Sequence, residues 1–269
     1  MELEVVVSGR RVRYLEGGSG RPLVLLHAFP LAADLWRPQL ARPPEGWRLL
    51  APDCRGLGGS ARAAGTGEGG RVTIDDYAAD VLAFCDGLGL DRFALGGLSM
   101  GGYVAFAVLR RAGARVTALL LADTRTEADS DEARENRRAM RAQVLDQGAG
   151  AVADSMLPKL LGRTTRASHA ELTVIVRRMI DANTPEGIAD ALDALMSRPD
   201  SAATLEAVAC PVAIVVGDED VLTPVALHEQ MHQCAPGSTL HVIRRAGHLS
   251  NLERPERFNE ALRGLLARL

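Results

Sequence analysis

Lysine is all but missing from this chain: of 31 basic residues, Lys159 alone is a lysine and the rest are arginines. So one-sided a usage reads as the base composition of a gene, not as a phosphate-binding surface. The net charge of −3 and the pI near 6.1 likewise argue against a nucleic-acid partner. Cysteine is scarce too. Cys54, Cys85, Cys210 and Cys234 stand far apart, with no C-x-x-C pair and no histidine at metal-ligating spacing, so no metal site is expected. Four unpaired thiols fit a reducing compartment, and the expected location is the cytoplasm. No apolar run reaches the ~18 residues of a membrane span. The opening Met1–Val7 enters a strand pattern without signal-peptide anatomy, and no membrane partner is expected. Internal repeats and low-complexity linkers are absent. What is present is 269 residues with 47% apolar content, enough for the core of one large domain or of a domain with one insertion.

The apolar residues are organised as short runs. Leu3–Val7 and Val12–Leu15, separated by a Ser8-Gly9-Arg10 turn, predict an antiparallel hairpin. Leu23–Leu26, Leu49–Ala51, Arg92–Gly96, Val116–Ala122, Val212–Val216 and Leu240–Ile243 are nearly continuous apolar stretches, the pattern of strands covered on both faces. Helical stretches alternate with them over Ile74–Leu88, Ser99–Arg111, Pro224–Cys234 and Pro255–Leu269. Such alternation predicts an α/β fold with a mostly parallel sheet and helices on both faces. It breaks between Asp123 and about Leu205, where helices are predicted over Asp131–Asp146, over Ala170–Ile180 and from Thr184-Pro185-Glu186 onward. The expectation is a core of residues 1–123 and 206–269, with a helical cap of residues 124–205 inserted after the sixth strand.

Between the fifth expected strand and the helix after it lies Gly97-Leu98-Ser99-Met100-Gly101. In that setting a G-x-S-x-G is a nucleophile elbow, a turn so tight that only small residues flank the serine. A serine hydroxyl needs a base to become nucleophilic, and the base needs a carboxylate to orient it. Asp220 follows the strand Val212–Val216 and His248 follows Leu240–Ile243, so both can project from the same sheet edge as Ser99. Asp218 and Asp123 also follow strands and remain open as the orienting carboxylate. His169, His228, His232 and His241 fall in expected helices or a strand, where a solvated or internally satisfied ring is expected. An oxyanion needs two N–H donors. Met100 N–H comes with the elbow and Phe29 N–H is assigned from the loop His27-Ala28-Phe29-Pro30, in which His27 orients the backbone.

These motifs resemble those of α/β-hydrolase-fold proteins of the esterase and 3-oxoadipate enol-lactonase-like type, over nearly the whole chain. His27-Ala28-Phe29-Pro30 is similar to the family's His-Gly-x-Pro loop, with Ala28 for glycine. Asp53-Cys54-Arg55-Gly56-Leu57-Gly58-Gly59-Ser60 is similar to its structural D-x-R-G-x-G-x-S loop. Leu98–Gly102 and Gly247–Glu256 resemble its elbow and histidine loops. The family places its acid three residues after a glycine, which favours Asp220 over Asp218. The resemblance implies a Ser99–Asp220–His248 enzyme that needs no metal or organic cofactor and acts on a small-molecule ester or lactone. Dehalogenases and epoxide hydrolases of this fold carry aspartate at the elbow, so Ser99 argues against them. Other activities on the same triad stay open: 3-oxoadipate enol-lactonase itself, a cofactor-free perhydrolase, a C–C bond hydrolase, or a ligand sensor on a hydrolase scaffold. The pocket is expected to be mainly apolar, walled by Phe29, Leu31, Leu98, Met100, Met156 and Leu160. An enol-lactonase would need a cation for its substrate's free carboxylate, and the sequence singles none out. The arginine-rich cap helix reads as a solvated face, with carboxylate binding as the alternative.

Overall fold

The apolar runs become an eight-stranded sheet in the computed structural model, which describes residues 1–269. Its strands are β1 (Glu2–Val7), β2 (Arg10–Gly18), β3 (Arg21–Leu26), β4 (Trp47–Pro52), β5 (Phe93–Leu98), β6 (Val116–Ala122), β7 (Val212–Gly217) and β8 (Thr239–Ile243), in the order β1-β2-β4-β3-β5-β6-β7-β8. β1 and β2 pair antiparallel, as do β2 and β4, and all later neighbours are parallel. Two-fold side-chain alternation with a core on each face explains why the inner strands β3, β5, β6 and β7 are almost wholly apolar. In β3, Val24 and Leu26 enter one core while Leu23 and Leu25 enter the other. β6 divides Leu119 and Leu121 from Ala118, Leu120 and Ala122 in the same way.

The helices in chain order are α1 (Arg37–Leu40), α2 (Ile74–Gly87), α3 (Met100–Ala112), α4 (Asp131–Gln147), α5 (Ala149–Leu160), α6 (Arg163–Ser168), α7 (Ala170–Asp181), α8 (Pro185–Ser197), α9 (Ala202–Glu206), α10 (Val225–Cys234), α11 (Ser250–Glu253) and α12 (Pro255–Leu266). α2 and α3 cover one face of the sheet. α12 and the turn Ala33–Trp36 cover the other, where Trp36 packs on Phe258 at 5.8 Å between ring centroids. The helix starts follow their caps. Thr73 and Asp76 form a reciprocal capping box on α2, Ser130 accepts from Ala133 N–H at the head of α4, and Thr184 caps α8 with Pro185 at its first position. Each such cap is worth ~1 kcal/mol. No helix is long and apolar enough to cross a membrane.

All of α4 to α9 lies between β6 and β7. α4 packs on α8 and α5 packs on α7, while α8 also rests on α2. Asn183, in the turn before α8, fastens this group to the core. Its amide donates to Pro30 O at 2.9 Å and accepts from Gly58 N–H at 2.7 Å. The expected core boundary at 205/206 falls inside α9, which packs on α3 and α10 and sends Leu205 into the core.

Candidate active site

Three loops at the carboxyl ends of β5, β7 and β8 meet over the sheet. The β5 loop is the elbow. Ser99 has φ 53° and ψ −113°, a region that costs a non-glycine residue about 1–3 kcal/mol. Neighbours hold it there: Ser99 N–H donates to Ala122 O at 2.9 Å, and Thr124 Oγ1 donates to Ser99 O at 2.9 Å. A Cβ on Gly97 would collide with the Gly101 carbonyl, and one on Gly101 with the Leu26 carbonyl. The flanking positions are therefore closed to larger residues.

The sequence-predicted Ser99, Asp220 and His248 are brought together. Ser99 Oγ lies 2.8 Å from His248 Nε2, and His248 Nδ1 lies 2.8 Å from Asp220 Oδ2. Both contacts are satisfied when Nδ1 carries the ring proton and Nε2 accepts from the hydroxyl. Asp220 is anchored at its other positions too. Leu222 and Thr223 N–H donate to Oδ1 at 2.8 and 3.0 Å, and the Thr223 hydroxyl donates to Oδ2 at 2.6 Å. Burial alone would push its carboxyl up, but the His248 charge and these donors hold it below the ordinary aspartate value. His248 is also buried, which disfavours its cation. The facing Asp220 carboxylate outweighs that and raises the imidazole above the ordinary histidine value.

The other candidates have different partners. Asp123, with φ 44°, accepts from Gly217 N–H at 2.9 Å and from the Ser250 hydroxyl at 2.5 Å, and makes no hydrogen bond to His248. Burial, reinforced by the nearby Asp220 charge, pushes its carboxyl well above the usual range. Asp218 accepts from Arg245 N–H at 2.6 Å. Among the histidines, His228 is buried and accepts from Thr124 N–H at 3.1 Å, and burial lowers it to about 4. His232 pairs with Ser238, His241 with Thr239, and His169 with Glu171.

The loop after β3 completes the approach to Ser99. His27 is fully buried, with Nδ1 3.0 Å from Ala28 O and Nε2 accepting from Cys54 N–H at 3.0 Å. It thus ties this loop to the loop after β4. In that second loop Asp53 accepts from Ala33 N–H, Gly59 N–H and Arg13. Neither Phe29 N–H nor Met100 N–H is spent on a protein acceptor. Met100 leads α3, where the first amides have no intrahelical acceptor.

A cavity of about 230 Å³ opens at Ser99 and His248. Phe29 and Met156 line it as expected, but Leu31, Leu98, Leu160 and Met100 do not. Leu31, Leu98 and Leu160 are fully buried in the core on the α12 side of the sheet, and the Met100 side chain is buried in the opposite core. Leu98 illustrates the reason, since strand alternation turns it into the core just before the elbow. In their place stand Tyr103, Met140, Leu195 and Leu222, together with the cations Arg125, Arg137 and Lys159. Two larger grooves, of about 790 and 1000 Å³, share no residue with this cavity. Thr223 and Glu253 were also not assigned from sequence. Glu253 accepts from Gly247 N–H at 2.9 Å and from Gly162 N–H of the α5–α6 turn at 3.0 Å, joining the histidine loop to the inserted helices. Their signal was position, three residues after Asp220 and five after His248.

Comparisons with known proteins agree with this architecture. Residues 21–255 match the family model described as alpha/beta hydrolase fold. The chain is similar to a 3-oxoadipate enol-lactonase 2 of Acinetobacter baylyi, with 25% identity over 94% of this chain and 91% of that protein. A Mycobacterium bovis haloalkane dehalogenase 2 is 34% identical over a shorter stretch, 42% of this chain and 38% of that one. Among solved structures, a thermophilic esterase of Thermogutta terrifontis, determined with malate bound, superposes with a TM-score of 0.93 at 37% identity, covering 100% of this chain and 98% of the other. The chain belongs to the alpha/beta hydrolase fold family.

Proposed function

We propose that this protein hydrolyses carboxylic esters or lactones through an acyl-Ser99 intermediate. The observation that carries the reading is the continuous hydrogen-bonded relay from the Ser99 hydroxyl through His248 to Asp220, 2.8 Å at each step, at the floor of a cavity. His248 takes the Ser99 proton as the oxygen attacks the substrate carbonyl, and Asp220 stabilises the imidazolium that forms. Phe29 and Met100 N–H receive the developing oxyanion. His248 then protonates the departing alcohol oxygen. It next activates a water that attacks the acyl carbon, releasing the acid and restoring the serine. The similarity to an enol-lactonase and to an esterase supports the ester or lactone class, and serine at the elbow supports it over dehalogenation.

The test is hydrolysis of p-nitrophenyl esters from acetate to decanoate by the wild type and Ser99→Ala side by side. Turnover should fall by roughly 10⁴-fold or more in the variant, and the chain-length optimum should be short, in keeping with a cavity of about 230 Å³. Undiminished turnover in the variant would overturn the mechanism.

A further inference from the structure

The cavity over Ser99 carries a charge that ester hydrolysis does not require. No aspartate or glutamate is among its lining residues, whereas Arg125, Arg137 and Lys159 are. Arg137 is committed, since its guanidinium donates to both oxygens of Asp129 at 2.6 and 3.3 Å. That carboxylate is also held by Arg198 at 2.7 Å, leaving Arg125 only a distant approach of 3.8 Å without a hydrogen bond. Arg125 Nε is buried and has no partner at all. Lys159 makes no ion pair and no hydrogen bond within the protein, and it is the chain's single lysine. Nearby Glu127, whose Oε2 is likewise unpartnered, does not line the cavity. Two cationic side chains on different elements therefore face the space above the nucleophile with their hydrogen-bonding capacity unspent.

We infer that Arg125 and Lys159 form an anion subsite, and that the preferred substrate is an ester or lactone bearing a free carboxylate remote from the scissile bond. The inference rests on the Ser99 hydrolase reading and deepens it. Both groups are donors only, and a carboxylate offers the acceptors that Arg125 Nε and the Lys159 ammonium lack. The low-dielectric wall of Tyr103, Met140, Met156 and Leu195 strengthens that attraction relative to bulk water. A neutral ester of equal length would leave Lys159 unpaired and Arg125 with only its 3.8 Å approach to Asp129. Arg125 and Lys159 act here on specificity, through the remote end of the substrate, and take no part in the proton transfers.

The experiment compares kcat/KM for p-nitrophenyl hydrogen adipate and p-nitrophenyl heptanoate, which differ chiefly in the terminal charge, in the wild type, Arg125→Gln and Lys159→Gln. The wild type should favour the anionic ester by about tenfold, with the preference falling as salt is raised. Each substitution should lower the anionic-to-neutral ratio by about three- to tenfold, mainly through KM, while Lys159→Arg retains it. Lys159 is exposed, so its replacement reports even if Arg125→Gln compromises folding. A wild-type ratio at or below one, or a ratio indifferent to both substitutions, would overturn the subsite. Failure of the hydrolase reading looks different, since neither ester would then be cleaved in a Ser99-dependent way.

Discussion

The two walls of the cavity are built on opposite principles. On the sheet side, Ser99, His248 and Asp220 have their polar atoms engaged with one another or with backbone amides, and the residues that hold them are buried. On the side of the inserted helices, Arg125 Nε has no partner and Lys159 is exposed. The first wall is organised before any ligand arrives, as electrostatic stabilisation of a transition state requires. The second keeps its donors for the ligand. The difference separates what the protein can do to a bond from which molecule it takes.

Beyond Ser99 itself, the sheet-side wall is most sensitive at the carboxylate behind it. Asp220→Asn should lower kcat for a p-nitrophenyl ester by roughly 10³–10⁴-fold, because an amide facing Nδ1 favours the wrong imidazole tautomer. Asp123→Asn, beside it but bonded to Gly217 and Ser250, should cost less than about tenfold in rate and act mainly on stability. Equal losses from the two would mean that the orienting role is shared or misassigned.

The same contrast explains what could be read from the sequence. Ser99, Asp220 and His248 each follow a strand in a loop with its own motif, so a one-dimensional pattern carries their three-dimensional meeting. The inner strands were legible because both their faces are covered, β1 and β2 as a hairpin about the Ser8-Gly9-Arg10 turn, and α8 because Thr184-Pro185 announces its start. α5, α6 and α9 carry no such mark. α5 follows Gly148 without a side-chain cap and contains Pro158, while α6 and α9 are only six and five residues long. The pocket walls were the least legible. Leu31 and Leu98 sit beside the site in sequence yet turn into the core with Leu160, and Arg125, in the loop after β6, and Lys159, on α5, line the cavity without any motif to mark them.

A pH profile sharpens the account of the buried pair. The base must be neutral to accept the Ser99 proton, so activity is lost as pH falls through the His248 pKa. Asp220 raises that value above the ordinary histidine figure of about 6.5, which puts the acid limb of kcat/KM above that pH, with a slope of about tenfold per unit below it. A limb at or below 6.5, measured with an uncharged ester, would count against this coupling. The smallest effect belongs to the joint between the two walls. Glu253 accepts from Gly247 and Gly162 amides on its two oxygens. Glu253→Gln turns one acceptor into a donor facing a donor, and should cost about 1–3 kcal/mol in urea unfolding. An unchanged midpoint would show that the inserted helices are held to the histidine loop by other contacts.

The central claim, that Ser99 is the activated nucleophile, is tested most directly by titration with diethyl p-nitrophenyl phosphate followed by peptide mapping. The account predicts one diethylphosphoryl group per chain, carried on Ser99, with esterase activity lost in step and labelling strongly slowed in His248→Ala. Labelling at another residue, or full activity surviving complete labelling of Ser99, would contradict it.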